Sequence, residues 1–317
     1  MTDHSEIAQA VEAGRYLMIC GPTAAGKSAV ALALAEQVGG TVINADSMQV
    51  YRDLKVVTAR PGEDEEARAP HRLYGVVDGS ERASVASWLA LAAKAIEEAR
   101  NSASLPIVVG GTGMYLQAAR EGIAPIPDVP ADIHRACLDQ LAADGGASFR
   151  AELARVDEAT ATRLFDGDSQ RLVRAMGVFR ATGRPISAWQ SDPHEGALPG
   201  EPIALAVMPP REETYARIDE RFARMMDEGA VEEVEALAAR RLDPSLPVMK
   251  AIGVREILAM GKGEISHARA VELASRDSRH YAKRQMTWIR NNYHAQIEIE
   301  SKLSTRIVNE IFSILLN

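Results

Sequence analysis

The segment Gly21-Pro22-Thr23-Ala24-Ala25-Gly26-Lys27-Ser28 satisfies G-x-x-x-x-G-K-[ST] at every fixed position. No other feature of the chain restricts its fold as tightly. The match sits between an apolar run, residues 16–20 (YLMIC), and a helical pattern over 27–38 that stops at Gly39-Gly40. Strand, glycine loop and helix in that order is the context that gives the pattern physical meaning. Glycines let the backbone curl so that successive N–H groups face one concavity at a helix N-terminus, where partial positive charge gathers. Lys27 adds a full charge, and Ser28 a hydroxyl suited to a Mg2+ position. The bland alternative is a glycine-rich turn with an incidental lysine, and the full match in its context counts against it. Such a loop specifies a bound di- or triphosphate; it does not specify a nucleotide.

Around the loop the same alternation continues. Residues 41–45 (TVINA) and 106–109 (PIVV) read as further strands, and 84–100 as an amphipathic helix opened by a serine. Strand–helix–strand spacing implies right-handed crossovers, hence an α/β fold: a P-loop parallel sheet core flanked by helices. Three prolines in residues 123–130 (IAPIPDVP) form a stiff connector. From 131 to about 192 the patterns are helical only, and residues 203–207 (IALAV) return the chain to the sheet. A weak strand at 296–300 and a final amphipathic segment close the sequence. The expected organisation is a catalytic core of 1–122 and 193–317, interrupted by a small all-helical insertion domain at 123–192.

Composition narrows the function classes. Thirty-six basic against 44 acidic residues give a formal net charge of −8, which excludes a generically basic nucleic-acid coat but leaves local basic patches open. No apolar run reaches the ~18–20 residues of a spanning helix. The start lacks a basic stretch followed by an apolar one, so no secretory signal is expected and the location is expected to be cytoplasmic. Two cysteines, Cys20 and Cys137, cannot build a disulfide framework or a four-ligand zinc site.

Asp46 stands just past the second strand, where ligands of open α/β sheets bind. The strand at 106–109 runs into Gly110-Gly111-Thr112-Gly113 and not into the metal-holding aspartate usual in ATPases and GTPases. Asp46 is therefore the leading acid of the site. Position alone leaves three roles open for it: a proton acceptor, a Mg2+ second-shell ligand or a helix N-cap. In 215–226, Tyr215, Ile218, Phe222 and Met225 share one helical face and read as core, while Arg217, Arg221 and Arg224 share another. One of these arginines can fork onto a phosphate, against a default of solvated surface. Gln170, Arg171 and Arg174 share a polar face for which solvation is again the default. Arg276, Arg279, His280, Lys283, Thr287 and Arg290 form one basic stripe on a helix, and on an acidic protein such a stripe suggests a phosphate backbone nearby. Tyr281 and Trp288 point elsewhere and are expected to pack.

Together the segments GPTAAGKS (21–28), DSMQVY (46–51), TARP (58–61), PHRLYGVVD (70–78), VGGTGMYLQA (109–118), DSQRLVRA (168–175), YARIDERF (215–222), MKAIGVRE (249–256) and AKRQMTWIR (282–290) resemble the bacterial tRNA dimethylallyltransferase (tRNA isopentenyltransferase) family. They follow the family's order over about nine-tenths of the chain. The resemblance implies transfer of a dimethylallyl group from dimethylallyl pyrophosphate to N6 of the adenosine on the 3′ side of the tRNA anticodon. It implies Asp46 as general base and Thr112 as donor to the bridging oxygen. Lys27, Ser28 and Arg221 would hold the pyrophosphate with Mg2+. The implied tRNA contacts are Asp46, Ser47, Met48, Gln49 and Thr112, then Gln170, Arg171, Arg174, and Lys283, Arg284, Gln285, Thr287, Trp288 and Arg290. Two departures stand out: His134, followed by Arg135, occupies a position where the family carries an arginine touching tRNA, and Asp168-Ser169 replaces an Asp-Pro. With only two cysteines, no zinc finger of the kind eukaryotic relatives add is expected. The implied partners are the tRNA anticodon stem-loop and the prenyl donor, with no membrane, and the chain is expected to act as a monomer.

A P-loop small-molecule kinase shares the fold and the loop and would use ATP. The missing strand-end aspartate and the basic helix argue against it.

Overall fold

The computed structural model describes residues 4–300 and 303–316, so the extreme ends of the expected core (1–3 and 317) and residues 301–302 lie outside the described residues. The elements run α1 (His4–Glu12), β1 (Arg15–Cys20), α2 (Lys27–Val38), β2 (Thr41–Asn44), α3 (Glu63–Arg68), β3 (His71–Arg72), α4 (Val85–Asn101), β4 (Pro106–Gly110) and α5 (Gly113–Glu121). Then follow α6 (Ala131–Val156), α7 (Glu158–Arg163), α8 (Ser169–Thr182), α9 (Ile186–Gln190), β5 (Glu201–Val207), α10 (Arg211–Asp227), α11 (Ala230–Ala239), α12 (Val254–Gly261), α13 (His267–Asn292), β6 (Ile297–Ile299) and α14 (Thr305–Leu316). A short 3-10 turn at Pro247–Lys250 precedes α12.

The chain divides into two compact units, one of Met1–Arg120 with Leu198–Asn317, the other of Glu121–Ala197. In the first, six strands form one sheet in the order β3-β2-β4-β1-β5-β6, every neighbouring pair parallel. Strands β1 and β4 are buried along nearly their whole length, which is why they read as continuous apolar runs rather than alternating ones. Register matters for what comes after. Cys20 pairs with Gly110 and Asn44 with Val109, so the P-loop, the Asp46 turn and the Gly111-Thr112 turn all leave the same edge of the sheet. Crossover helices bury their inner faces on it: Val30, Leu34 and Val38 of α2, and Trp88, Ala92 and Ile96 of α4. Helix α4 opens on Ser84, whose side chain accepts from the Ser87 N–H at 3.0 Å.

Among the elements that escaped the sequence, two are small. Helix α3 is Glu-Asp-Glu-Glu-Ala-Arg and buries no side chain, so it carries no apolar period; acids in its first turn and the Glu65 carboxylate on the Gly62 N–H, 3.0 Å away, hold its start. Strand β3 is two residues long.

The second unit is helical apart from one bridge between Ile123 and Glu195. Its boundaries lie a few residues outside 123–192 on both sides. Cys137, Phe149, Leu153, Leu172, Met176 and Val178 form its core. Asp157 caps α7 through the Thr160 N–H at 3.0 Å, and Gly183 ends α8 in the left-handed region at φ 71°. Helix α6 breaks at Gly145, φ 76° and ψ 162°; a Cβ on the next residue, Gly146, would collide with the Asp166 carbonyl.

Candidate active site

Local backbone chemistry builds the cradle. Between β1 and α2 the chain must turn back on itself, and it does so with Ala24 (φ 62°) and Gly26 (φ 91°) both left-handed. Gly21 has no room for a side chain, since a Cβ there would lie 2.7 Å from the Val207 carbonyl. Helix α2 therefore starts at Lys27 with its first N–H groups facing the loop's concavity. The Lys27 ammonium lies 3.5 Å from the Pro22 carbonyl. Burial lowers its pKa; Asp46 opposes that shift and Arg221 adds to it. Ser28, next to it, is exposed.

The acid enters from β2. Asn44, fully buried at the end of that strand, accepts the Asp46 N–H at 2.8 Å and donates to the Asp46 carbonyl at 3.0 Å and the Leu73 carbonyl at 3.1 Å. One carboxylate oxygen of Asp46 accepts the Met48 N–H at 2.9 Å, closing a tight turn. This settles the N-cap alternative: Asp46 organises a turn, and no helix follows it. Beside it, the Thr112 hydroxyl accepts the Ser47 N–H at 3.0 Å and lies 3.3 Å from the Ser47 hydroxyl. Gln49 donates to the carbonyls of Thr58 and Ala59, both at 2.9 Å, so its amide nitrogen is spent on the loop rather than left free.

Arg221 comes from α10 and donates to the Thr23 hydroxyl at 2.6 Å. Burial lowers its pKa, with the Asp46 charge acting in the opposite sense. Its neighbours on the charged face went elsewhere: Arg217 pairs with Glu213 at 3.0 Å and Arg224 with Glu228 at 3.5 Å, both in solvent. Thr23, Asp46, Ser47, Met48, Arg221, Tyr281 and Arg284 share the wall of a cavity of about 290 Å³ with Val57, Ile218, Phe222, Met225 and Ile252. Charged and apolar side chains both line that wall. Phe222 and Met225 are core residues, as their spacing suggested, and the cavity wall as well.

Helix α13 departs most from expectation. Its basic stripe is partly neutralised: Arg276 bonds Asp277 at 3.1 Å and Arg279 bonds Asp219. Lys283, Thr287 and Arg290 remain exposed, and His280, Lys283, Arg284, Thr287 and Trp288 line a shallow concavity. Tyr281, expected to pack away, faces the cavity; burial, then the Asp46 charge, pushes its phenol well above the usual value, so it stays a neutral hydroxyl beside the Thr112 hydroxyl and the Gln285 carboxamide. Gln285, expected among the tRNA contacts, is 5% exposed and directs its amide inward. Trp288 packs over Gly113, where a Cβ would strike the indole. Val57 and Tyr281 carried no signal of a place in the site, because side chains from two distant segments meet only once the chain has folded.

In the second unit, Gln170 and Arg171 are exposed and Arg174 is half-buried. Arg171 bonds the capping Asp168 at 2.8 Å, and Arg174 donates to the Pro127 carbonyl at 3.3 Å. His134 is exposed on α6. Among the described residues no helix is long and apolar enough to cross a membrane.

A phosphate cradle, an acid and a half-buried arginine beside one cavity lined by polar and apolar side chains define a P-loop protein that handles a phosphorylated substrate with an apolar part. The comparisons narrow this. The IPP transferase family model matches residues 49–292. The tRNA dimethylallyltransferase of Rhodospirillum rubrum is 49% identical over 292 residues, covering 92% of this chain and 90% of its own. A crystal structure of the tRNA isopentenylpyrophosphate transferase from Bacillus halodurans matches with a TM-score of 0.66 and 29% identity over 95% of both chains. A eukaryotic dimethylallyltransferase solved acting on tRNA matches with a TM-score of 0.74 and 28% identity, over 87% of this chain and 69% of its own. The chain belongs to the IPP transferase family.

Proposed function

We propose that this chain transfers a dimethylallyl group from dimethylallyl pyrophosphate to N6 of the adenosine 3′-adjacent to the anticodon in tRNA. The observation that carries this reading is the single cavity in which Asp46, Arg221 and Thr23 meet an apolar wall of Val57, Phe222 and Met225. Such a wall beside a phosphate loop suits the apolar chain of a prenyl diphosphate.

The adenine amine is a weak nucleophile, because its lone pair is delocalised into the ring. An allylic diphosphate compensates, since its C–O bond lengthens early. The protein's main task is then to stabilise charge growing on the diphosphate. Lys27, Arg221 and the loop N–H groups serve that purpose. The Thr112 hydroxyl accepts the Ser47 N–H at 3.0 Å and donates to the Ser47 hydroxyl at 3.3 Å; with the prenyl donor bound, that proton would turn from Ser47 to the bridging oxygen. As the C–N bond forms and the C–O bond breaks, the amine proton passes to the Asp46 oxygen not engaged by Met48.

Among the described residues no three His, Cys, Asp or Glu side chains gather to hold a metal. A Mg2+ that arrives on the diphosphate needs only one or two protein oxygens, and the exposed Ser28 hydroxyl at the start of α2 fits as one. When bound it would neutralise phosphate charge. The exposed Lys283, Thr287 and Arg290, with Gln170, Arg171 and His134 of the helical unit, suit the phosphate backbone of an anticodon arm, whose target base must leave its stack.

The test is mass analysis of nucleosides from tRNA incubated with the protein, Mg2+ and dimethylallyl pyrophosphate. The reading expects one prenylated adenosine next to the anticodon. Unchanged tRNA, together with phosphoryl transfer from ATP to a small acceptor, would reject it.

A further inference from the structure

The geometry points to Gln285 as a positioning residue that fastens the basic helix to both loops of the diphosphate cradle, not as a contact to tRNA. The inference rests on the proposed use of that cradle for a diphosphate.

Its side-chain oxygen accepts the Thr23 N–H at 2.8 Å, and its amide nitrogen donates to the Gly111 carbonyl at 2.8 Å. Thr23 belongs to the P-loop and Gly111 to the turn after β4, 262 and 174 residues away in the chain. A carboxamide offers a donor and an acceptor on a single rigid plane, so one residue ties both loops to α13. Gly111 is part of the device: a Cβ there would fall on the Gln285 amide nitrogen. The side chain is 5% exposed, too buried to reach a macromolecule.

Two neighbours give the tie its consequence. The Thr23 hydroxyl receives Arg221, so Gln285 fixes the backbone of the residue that Arg221 leans on. One turn earlier on the same face, the Tyr281 hydroxyl meets that of Thr112. On the outer face of this turn, Lys283 and Thr287 are exposed. The inner face of α13 thus sets the diphosphate donors, and its outer face is left for nucleic acid.

The experiment compares wild type with Gln285→Met, similar in size but without hydrogen bonds. Calorimetry with inorganic pyrophosphate and Mg2+ reads the cradle; fluorescence anisotropy with unmodified tRNA at fixed salt reads the outer face. The expected result is at least a ~10-fold loss of pyrophosphate affinity, about the effect of one lost hydrogen bond near charge, with tRNA affinity within twofold. A loss of tRNA affinity with pyrophosphate binding intact would make Gln285 a tRNA contact and overturn the proposal, as would no change in either. If Gln285→Met does not fold, Gln285→Glu keeps the acceptor for Thr23 and loses the donor for Gly111, and the same readouts and limits apply. Should wild type bind no tRNA, the transferase reading fails, and the pyrophosphate measurement still decides the role of Gln285.

Discussion

Arg221 and Thr23, 198 residues apart in the chain, meet in a 2.6 Å hydrogen bond. The contact brings α10, which follows the last long strand, onto the loop that follows the first. An arginine that bonds a neutral hydroxyl in a buried setting keeps its charge unneutralised. It is available to a ligand in a way that Arg217 and Arg224, paired with glutamates in solvent, are not.

Arg221→Met should therefore cost more in donor binding than in folding. A charge-assisted hydrogen bond to phosphate is worth ~1.5–3 kcal/mol, so kcat/KM for dimethylallyl pyrophosphate should fall by ~10–150-fold. Urea denaturation should shift little. A large loss of stability with donor kinetics intact would assign Arg221 to the scaffold.

Lys27 makes a prediction in pH. Burial lowers its pKa in the folded chain. Between that lowered value and the ordinary lysine value of about 10.4, the unfolded chain holds a proton the folded chain lacks. The lysine's contribution to stability consequently grows as pH rises through that window. Diphosphate binding runs the other way: it needs the cation, so affinity should fall as pH rises through the lowered pKa, with proton uptake on binding. Calorimetry of pyrophosphate binding in alkaline buffers of different ionisation enthalpy should register that uptake, and Lys27→Met should lose it.

The outer face of α13 is tested by salt. Lys283→Ala should weaken tRNA binding and reduce the slope of log K against log salt by ~0.7–0.9, the share of one phosphate contact. Arg279→Ala should leave the slope alone, because Arg279 is already paired with Asp219. Equal effects from both would mean that the whole stripe faces nucleic acid.

Gly113→Ala probes the seat of that helix. The new methyl strikes the Trp288 ring, and overpacking of this kind costs ~1–3 kcal/mol. A lower urea midpoint and weaker tRNA binding should appear together; an unchanged midpoint would mean that the tryptophan moves freely.

Much of this was legible beforehand. The P-loop carries its own context, since a glycine loop between an apolar run and a helical pattern has few other folds, and the proline connector marks the start of the helical unit. Asp46 was visible as an acid at a strand end, and only the structure removed its helix N-cap reading, because a turn closed by the Met48 N–H follows it and no helix. Arg221 could not be told from Arg217 and Arg224 by spacing, because all three share a helical face and only tertiary packing selects the one that meets Thr23. Gln285 sits within a run of basic residues and was grouped with them. Which side of a helix turns inward by one residue is decided by what packs there, and here that is Gly111, a residue without a side chain. Helix α3 and strand β3 were missed for a simpler reason: a six-residue charged helix and a two-residue strand carry no period to read.

The central claim is that the Asp46 carboxylate takes the proton from the adenine amine in the cavity where the cradle holds the departing diphosphate. Asp46→Asn preserves the oxygen that accepts from Met48 while removing the base. Single-turnover prenylation with tRNA and donor both saturating should slow by ~10²–10⁴-fold, with the Kd of tRNA within about threefold of wild type. A single-turnover rate equal to that of wild type would contradict the account.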